Sequence, residues 1–176
     1  SYNLGNWVSG KQYHVKARGA DLPTNVETPF DGNTFTYDSV APTTTVIAPT
    51  HSSTVRTMPI ISGTSGDATS AISVVYLRIK NTTPSPNEWW NSSTWQTTEA
   101  FVTATGTTYW QYGNPGWSTG NTYEVTSQAE DSITNREAVG DVNVFTYDTS
   151  APSSYITNPT HLAYVNSAQT YSGVAS

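Results

Sequence analysis

Phe35-Thr-Tyr-Asp-Ser-Val-Ala-Pro42 returns, nearly unchanged, as Phe145-Thr-Tyr-Asp-Thr-Ser-Ala-Pro152. The two copies lie 110 positions apart. That spacing is the size of one small domain, so the chain reads as a window on a tandem array. The match runs well beyond the octapeptide. Residues 7–66 and 117–176 align without a gap, and 22 of the 60 pairs are identical, far above chance even for so biased a composition.

Working outward from the repeated stretch divides the chain into three. Residues 39–148 form the complete unit. Residues 1–38 hold the last two strands of a preceding unit: Gln12-Tyr-His-Val-Lys-Ala17 and Asn33-Thr-Phe-Thr-Tyr37, with turn chemistry at 21–25 between them. Residues 149–176 begin the next. Inside the complete unit, Ile72-Ser-Val-Val-Tyr-Leu-Arg-Ile-Lys80 is the clearest strand. Val75, Leu77 and Ile79 fall on one face, and Tyr76, Arg78 and Lys80 on the other. Further strands are expected at 43–48, 55–62 (broken by Pro59), 100–104, 107–112, 122–129 and 142–147. Residues 63–70 read as a loop, and 89–95 as a hairpin with its tip at 91–94. Roughly seven to nine short strands with turn residues every 8–12 positions are the pattern of a β-sandwich. No run has helical periodicity, so the expected class is all-β.

Composition narrows the function. Charged residues are 11%, less than half the usual share, and Ser, Thr and Asn cover the surface instead. The net charge of −6 and the seven scattered basic residues exclude a nucleic-acid partner, which needs clustered Lys and Arg. No run approaches the roughly 18 apolar residues of a membrane span, so no membrane insertion is expected in this segment. Cysteine is absent, so disulfides do not staple the fold.

The residues that carry the repeat also carry a resemblance. Trp117, Gly120-Asn-Thr-Tyr-Glu-Val125, Ala129-Glu-Asp131, Asn135-Arg-Glu137, Phe145 to Pro152 and Ser172-Gly173 resemble the tandem bacterial immunoglobulin-like repeats of very large secreted and surface proteins. The Trp90-Asn-Ser-Ser-Thr-Trp95 hairpin resembles that family's middle segment. The resemblance implies an immunoglobulin-like β-sandwich, one complete repeat flanked by two partial ones, in an extracellular or cell-surface bacterial protein. The function it implies is non-catalytic and structural: a rod, surface layer or filament whose partners are neighbouring repeats or copies of the same chain. The chain opens and closes inside repeats, which suits a window on a long periodic polymer. The alternatives are an adhesin or carbohydrate-binding module that meets surface glycans through an exposed Trp hairpin, and a spacer in a giant secreted enzyme.

Candidate sites are few. Asp131, Asn135 and Glu137, matched by Asp21, Asn25 and Glu27, could offer oxygens to Ca²⁺, with Asp38 and Asp148 at the junctions. The competing reading is plain turn chemistry, because Ca²⁺ asks for 6–8 ligands. No other cofactor is expected. Trp89, Trp90 and Trp95, with Trp110 and Trp117, could form a platform for sugars or could pack inward. Adjacent Trp89 and Trp90 must face opposite sides of a strand. Tyr123, like Tyr13, reads as a tyrosine corner bonding to backbone upstream. His51 and His161 share a turn position and read as solvated. Asn81-Thr-Thr83 and Asn91-Ser-Ser93 match the N-glycosylation acceptor on expected loops. Lys80 is the single lysine of the complete unit, and its outward face argues against an isopeptide bond. No nucleophile–base pattern or phosphate loop occurs, so catalysis is not expected.

Overall fold

The computed structural model of the chain describes residues 5–28, 31–57, 59–140 and 142–176. Met58, inside the strand expected at 55–62, lies outside them, as do the first four residues and residues 29 and 30 of the expected 1–38 segment. The described residues contain strands and turns but no helix. Fifteen strands occur: β1 (Lys11–Val15), β2 (Asn33–Tyr37), β3 (Thr43–Ala48), β4 (Ser53–Val55), β5 (Ile61–Gly66), β6 (Ile72–Asn81), β7 (Glu88–Trp90), β8 (Trp95–Gln96), β9 (Val102–Thr103), β10 (Thr105–Gly106), β11 (Tyr109–Tyr112), β12 (Asn121–Asp131), β13 (Asn143–Tyr147), β14 (Ser154–Asn158) and β15 (Ser172–Ala175).

Two of the four sheets build the main body. One has the order β10-β11-β5-β3, and the other β4-β13-β12-β6-β7-β8, with β9 beside β6. Their inner faces share one core, in the manner of a β-sandwich. Ile61 and Trp110 come from the smaller sheet, and Leu77, Ile79, Val125 and Phe145 from the larger. The alternation read in β6 holds: Val75, Leu77 and Ile79 are fully buried. β4 runs parallel to β13, through Ser53↔Phe145, Thr54↔Thr146 and Val55↔Tyr147. The remaining sheets are two-stranded, β1-β2 and β14-β15.

The structure corrects the expected loop at 63–70. β5 continues through Gly66, and the loop is confined to the residues after it. The two glycines suggested a loop, but Gly63 has a packing reason to sit in a strand. A Cβ there would lie 2.2 Å from Cζ2 of Trp110 and 2.0 Å from the Thr45 carbonyl oxygen, so the buried indole takes the space a side chain would need. The strand expected at 55–62 is also replaced. Ser53–Val55 and Ile61–Gly66 belong to different sheets. Pro59, lacking an N–H, falls in the crossing between them.

Local geometry recurs at the 110-residue spacing. The Tyr123 hydroxyl accepts the Ser118 N–H at 2.8 Å, and the Tyr13 hydroxyl accepts that of Val8 at 2.8 Å. Gly120 N–H bonds the Tyr147 carbonyl at 2.7 Å, and Gly10 N–H that of Tyr37 at 2.8 Å. Gly120 and Gly10 both have positive φ, 80° and 77°. Thr134 and Thr24 share the same left-handed turn, at 71° and 73°. What differs is cover. Tyr123 and Phe145 are buried, whereas Phe35 and the strands β14 and β15 are exposed.

Candidate metal centre

Asp38, Asp67 and Asp131 meet at one end of the main body. One carboxylate oxygen from each lies within 4.8 Å of the other two. Three separate pieces of local chemistry bring them there. Asp131 ends β12 and opens a turn in which its Oδ1 accepts the N–H groups of Ile133 (2.9 Å) and Asn135 (2.8 Å). Asp67 follows β5, and its Oδ1 accepts the N–H groups of Thr69 and Ser70, both at 2.7 Å. Asp38 follows β2, and its Oδ1 accepts the Ser9 hydroxyl (3.0 Å) and the Val40 N–H (3.1 Å). Asp and Asn favour such turns because their side chains satisfy backbone donors two to four residues on.

Two of the three residues are buried, and Asp67 is half-buried. Asp38 is 9% exposed and Asp131 1%. Ser70 donates its hydroxyl to Asp131 Oδ2 at 3.0 Å and lies 3.4 Å from Asp67 Oδ1. It has one proton for several carboxylates. Asp38 Oδ2 and Asp67 Oδ2 are buried and accept no hydrogen bond. Neither of the two ion pairs among the described residues, Arg78–Glu99 and Lys80–Glu124, reaches this end.

Asp38 and Asp131 stay ionised at neutral pH. The Val40 N–H is the main reason Asp38 lies below its ordinary 3.8. Burial opposes it, the Ser70 and Ser9 hydroxyls add to it, and the Asp131 charge pushes the other way. For Asp131 burial is the largest single influence and would raise the pKa. The Asn135 side chain and backbone, with Ser70 and Ile133, together bring it below 3.8. The result is concentrated negative charge, with acceptor oxygens that no protein donor satisfies. A hard divalent cation is the group such a donor set fits.

Of the expected metal candidates, Asp131 and the junction residue Asp38 contribute carboxylates to this centre. Asn135 supports it, donating Nδ2–H to Asp131 Oδ2 at 2.8 Å and to the Asp38 carbonyl at 3.5 Å. Glu137 is engaged elsewhere. Its Oε1 accepts the Thr44 N–H (2.9 Å), and its Oε2 accepts the Thr44 hydroxyl (2.8 Å) and the Ala129 N–H (3.0 Å), tying β3 to β12. Asp21 and Asn25 form an exposed copy of the Asp131 turn, with Asn25 N–H and Nδ2–H on the two carboxylate oxygens at 2.8 and 2.9 Å. Glu27 accepts the Gly19 N–H at 3.1 Å. Asp148 repeats the Asp38 geometry, its Oδ1 accepting Ser150 N–H (2.8 Å) and the Thr119 hydroxyl (3.3 Å). Those Ser150 bonds, backbone first and side chain second, hold it below 3.8.

Asp67 escaped the sequence reading. Its counterparts, 110 positions either way, fall outside the chain, so the repeat could not single it out. The Gly66-Asp-Ala-Thr-Ser70 spacing was the available signal.

The tryptophans do not form a flat platform. Trp90 and Trp95 pack with ring centroids 5.5 Å apart and planes at 54°, and Trp95 leans on Trp117 and Tyr123. Trp90 Nε1–H donates to the Tyr112 hydroxyl at 2.8 Å. Trp89 faces the opposite side, between Lys80 Nζ at 5.4 Å and Arg78 Cζ at 5.8 Å from its ring centroid. Lys80, expected to face outward, is half-buried and paired with Glu124 at 3.1 Å. Asn81 is a correction: it ends β6 at 5% exposure, not on a loop, and its Oδ1 accepts the Thr83 N–H. Asn91 does sit at the hairpin tip, holding the Ser93 and Thr94 N–H groups.

Comparison with protein-family models finds no match for the chain, and comparison with curated proteins finds none either. No helix among the described residues is long and apolar enough to cross a membrane.

Proposed function

We propose that the chain is a non-catalytic structural segment of a large extracellular bacterial protein, built from tandem immunoglobulin-like β-sandwich repeats that string into a rod, surface layer or filament. Residues 39–148 are then one complete repeat, 1–38 the end of the one before and 149–176 the start of the one after. The observation that carries this reading is the recurrence of the same turns and hydrogen bonds at 110-residue spacing, including the pairs at Asp38 and Asp148. Each of these carboxylates ties the last strand of one repeat to the first residues of the next. The immunoglobulin-like part draws on strand order. β3-β5-β11-β10 faces β4-β13-β12-β6-β7, with the tyrosine corner at the start of β12.

The sugar-binding alternative gains nothing from the Trp hairpin. Trp90 and Trp95 are spent on the core, and Trp89 is flanked by cationic side chains.

Polypeptides of three and six copies of residues 39–148 test the reading by small-angle scattering. β12 has 11 residues, a length of about 36 Å at ~3.3 Å per residue. The maximum dimension should therefore grow by about that much per copy. Growth with the square root of copy number would mean loose linkers and would refute the rod.

A further inference from the structure

We propose that Asp38, Asp67 and Asp131 form a calcium site that locks one repeat onto the next; this rests on the tandem-repeat reading above. The three residues do not belong to one repeat. Asp38 closes the preceding unit, directly after β2, while Asp67 and Asp131 sit on two loops of the unit that follows. A cation held by all three therefore bridges the joint.

Two independent observations point to a ligand. The first is the convergence of three carboxylate oxygens within 4.8 Å. Two oxygens on opposite sides of a calcium ion are about 4.6–5.2 Å apart, from Ca–O distances of ~2.3–2.6 Å, whereas Mg²⁺ draws them to about 4.2 Å or less. The cluster is within calcium's reach without rearrangement. The second is the pair of orphaned acceptors. Asp38 is nine-tenths buried, its Oδ1 is occupied by Ser9 and Val40, and its Oδ2 is left with no donor. Asp67 has the same division, with Oδ1 on its own turn and Oδ2 buried and unpartnered. A buried carboxylate oxygen without a donor is costly and rare, and a cation removes the cost for both at once.

The surroundings favour this joint as the place for a clamp. Ser9 donates to Asp38 and accepts the Ser39 N–H at 3.1 Å. The next residue, Gly10, is close enough to the loop after Asp67 that a Cβ would lie 3.6 Å from the Thr69 hydroxyl oxygen. The Asn135 amide reaches the Asp38 carbonyl. Protein oxygens supply part of the 6–8 ligands calcium takes, and water completes the shell.

Isothermal titration of the 176-residue chain with CaCl2, after stripping with chelator, tests the site. One ion per chain is expected, with a dissociation constant between about 1 μM and 1 mM, the range from calcium sensors to extracellular modules. The melting temperature should rise on saturation and fall back with EDTA. Asp67→Asn keeps shape and removes one ligand charge, and should weaken binding at least tenfold, as should Asp38→Asn. Asp21→Asn, in the exposed copy of the turn, should bind like the parent. Melting of each variant in EDTA verifies that it folds. The proposal is overturned if the parent chain gives neither binding heat nor a melting shift at 10 mM Ca²⁺. It is equally overturned if Asp67→Asn and Asp38→Asn both bind as the parent does. Flexible scattering of the repeat series in saturating Ca²⁺, with binding intact, would refute the rod while leaving the site standing.

Discussion

Gly63→Ala is the sharpest probe of how the two sheets close on each other. Gly63 sits in β5 opposite Val46 of β3 and Trp110 of β11. The added methyl would lie 2.0 Å from the Thr45 carbonyl oxygen and 2.2 Å from Trp110 Cζ2. Ordinary carbon contacts are ~3.5–4.0 Å, so something must move by more than an ångström. One obstacle is backbone inside a β-ladder. The other is an indole at 2% exposure, walled in by the core. Overpacking costs about 1–3 kcal/mol where side chains can adjust. Here neither neighbour can, and the expected loss is about 3 kcal/mol or more. For a unit of this size that corresponds to a fall of roughly 10–15 °C in melting temperature. Urea unfolding followed by tryptophan fluorescence reads it directly. Gly66→Ala is the control: a Cβ there meets nothing within 4 Å, so the change should stay within about 1 kcal/mol and can be stabilising. If Gly63→Ala unfolds within about 0.5 kcal/mol of the parent, Trp110 does not lie against β5 and the core has been described wrongly.

Glu137→Gln keeps the shape of the β3–β12 tie but sets an amide N–H₂ against a backbone N–H. A loss of about 1.5–3 kcal/mol is expected, with faster hydrogen exchange at Thr44 and Ala129, and unchanged exchange there would refute the tie. Trp95→Ala should cost about 2–4 kcal/mol because its ring leans on the core, whereas Trp89→Ala should cost about 1 kcal/mol, the value of an exposed cation–π contact; equal losses would contradict their opposite facing. In metal-free buffer, Asp38, Asp131 and Asp148 all lie below their ordinary 3.8. Their contribution is therefore whole above that pH and is lost as pH falls through the lower folded values. Melting temperature should stay level from pH 7 to about 4 and then drop; a rise on approaching pH 4 would mean that repulsion within the cluster outweighs its hydrogen bonds.

Much of this architecture is legible in the chain itself. Alternation in β6 placed Val75, Leu77 and Ile79 inside, and the tyrosine-corner spacing anticipated the Tyr123–Ser118 bond. These features are local, and a single segment carries their whole cause. The errors are non-local. Gly63 looked like loop because the reason for its missing side chain, the Trp110 ring, lies 47 positions away. Glu137 looked like a metal ligand because the donors that occupy it are on β3 and at the end of β12. Asp67 went unassigned because its partners stand 29 positions before it and 64 after, and only the folded loops bring them together. Residues that act through their own turn can be read in order. Residues that act by convergence cannot.

The parallel pairing of β4 with β13 bears on how a unit responds to tension. β4 follows β3, the first strand after Asp38, and lies against β13, which ends just before Asp148. Pulling on the two ends drags these neighbours past each other along their length. Ser52 N–H to Val144, Asp148 N–H to Val55 and the ladder between them then take the load together. An antiparallel hairpin at the same place would open one rung at a time, like a zipper. This arrangement must slip all its rungs at once, so resistance to extension is built into the parallel pairing.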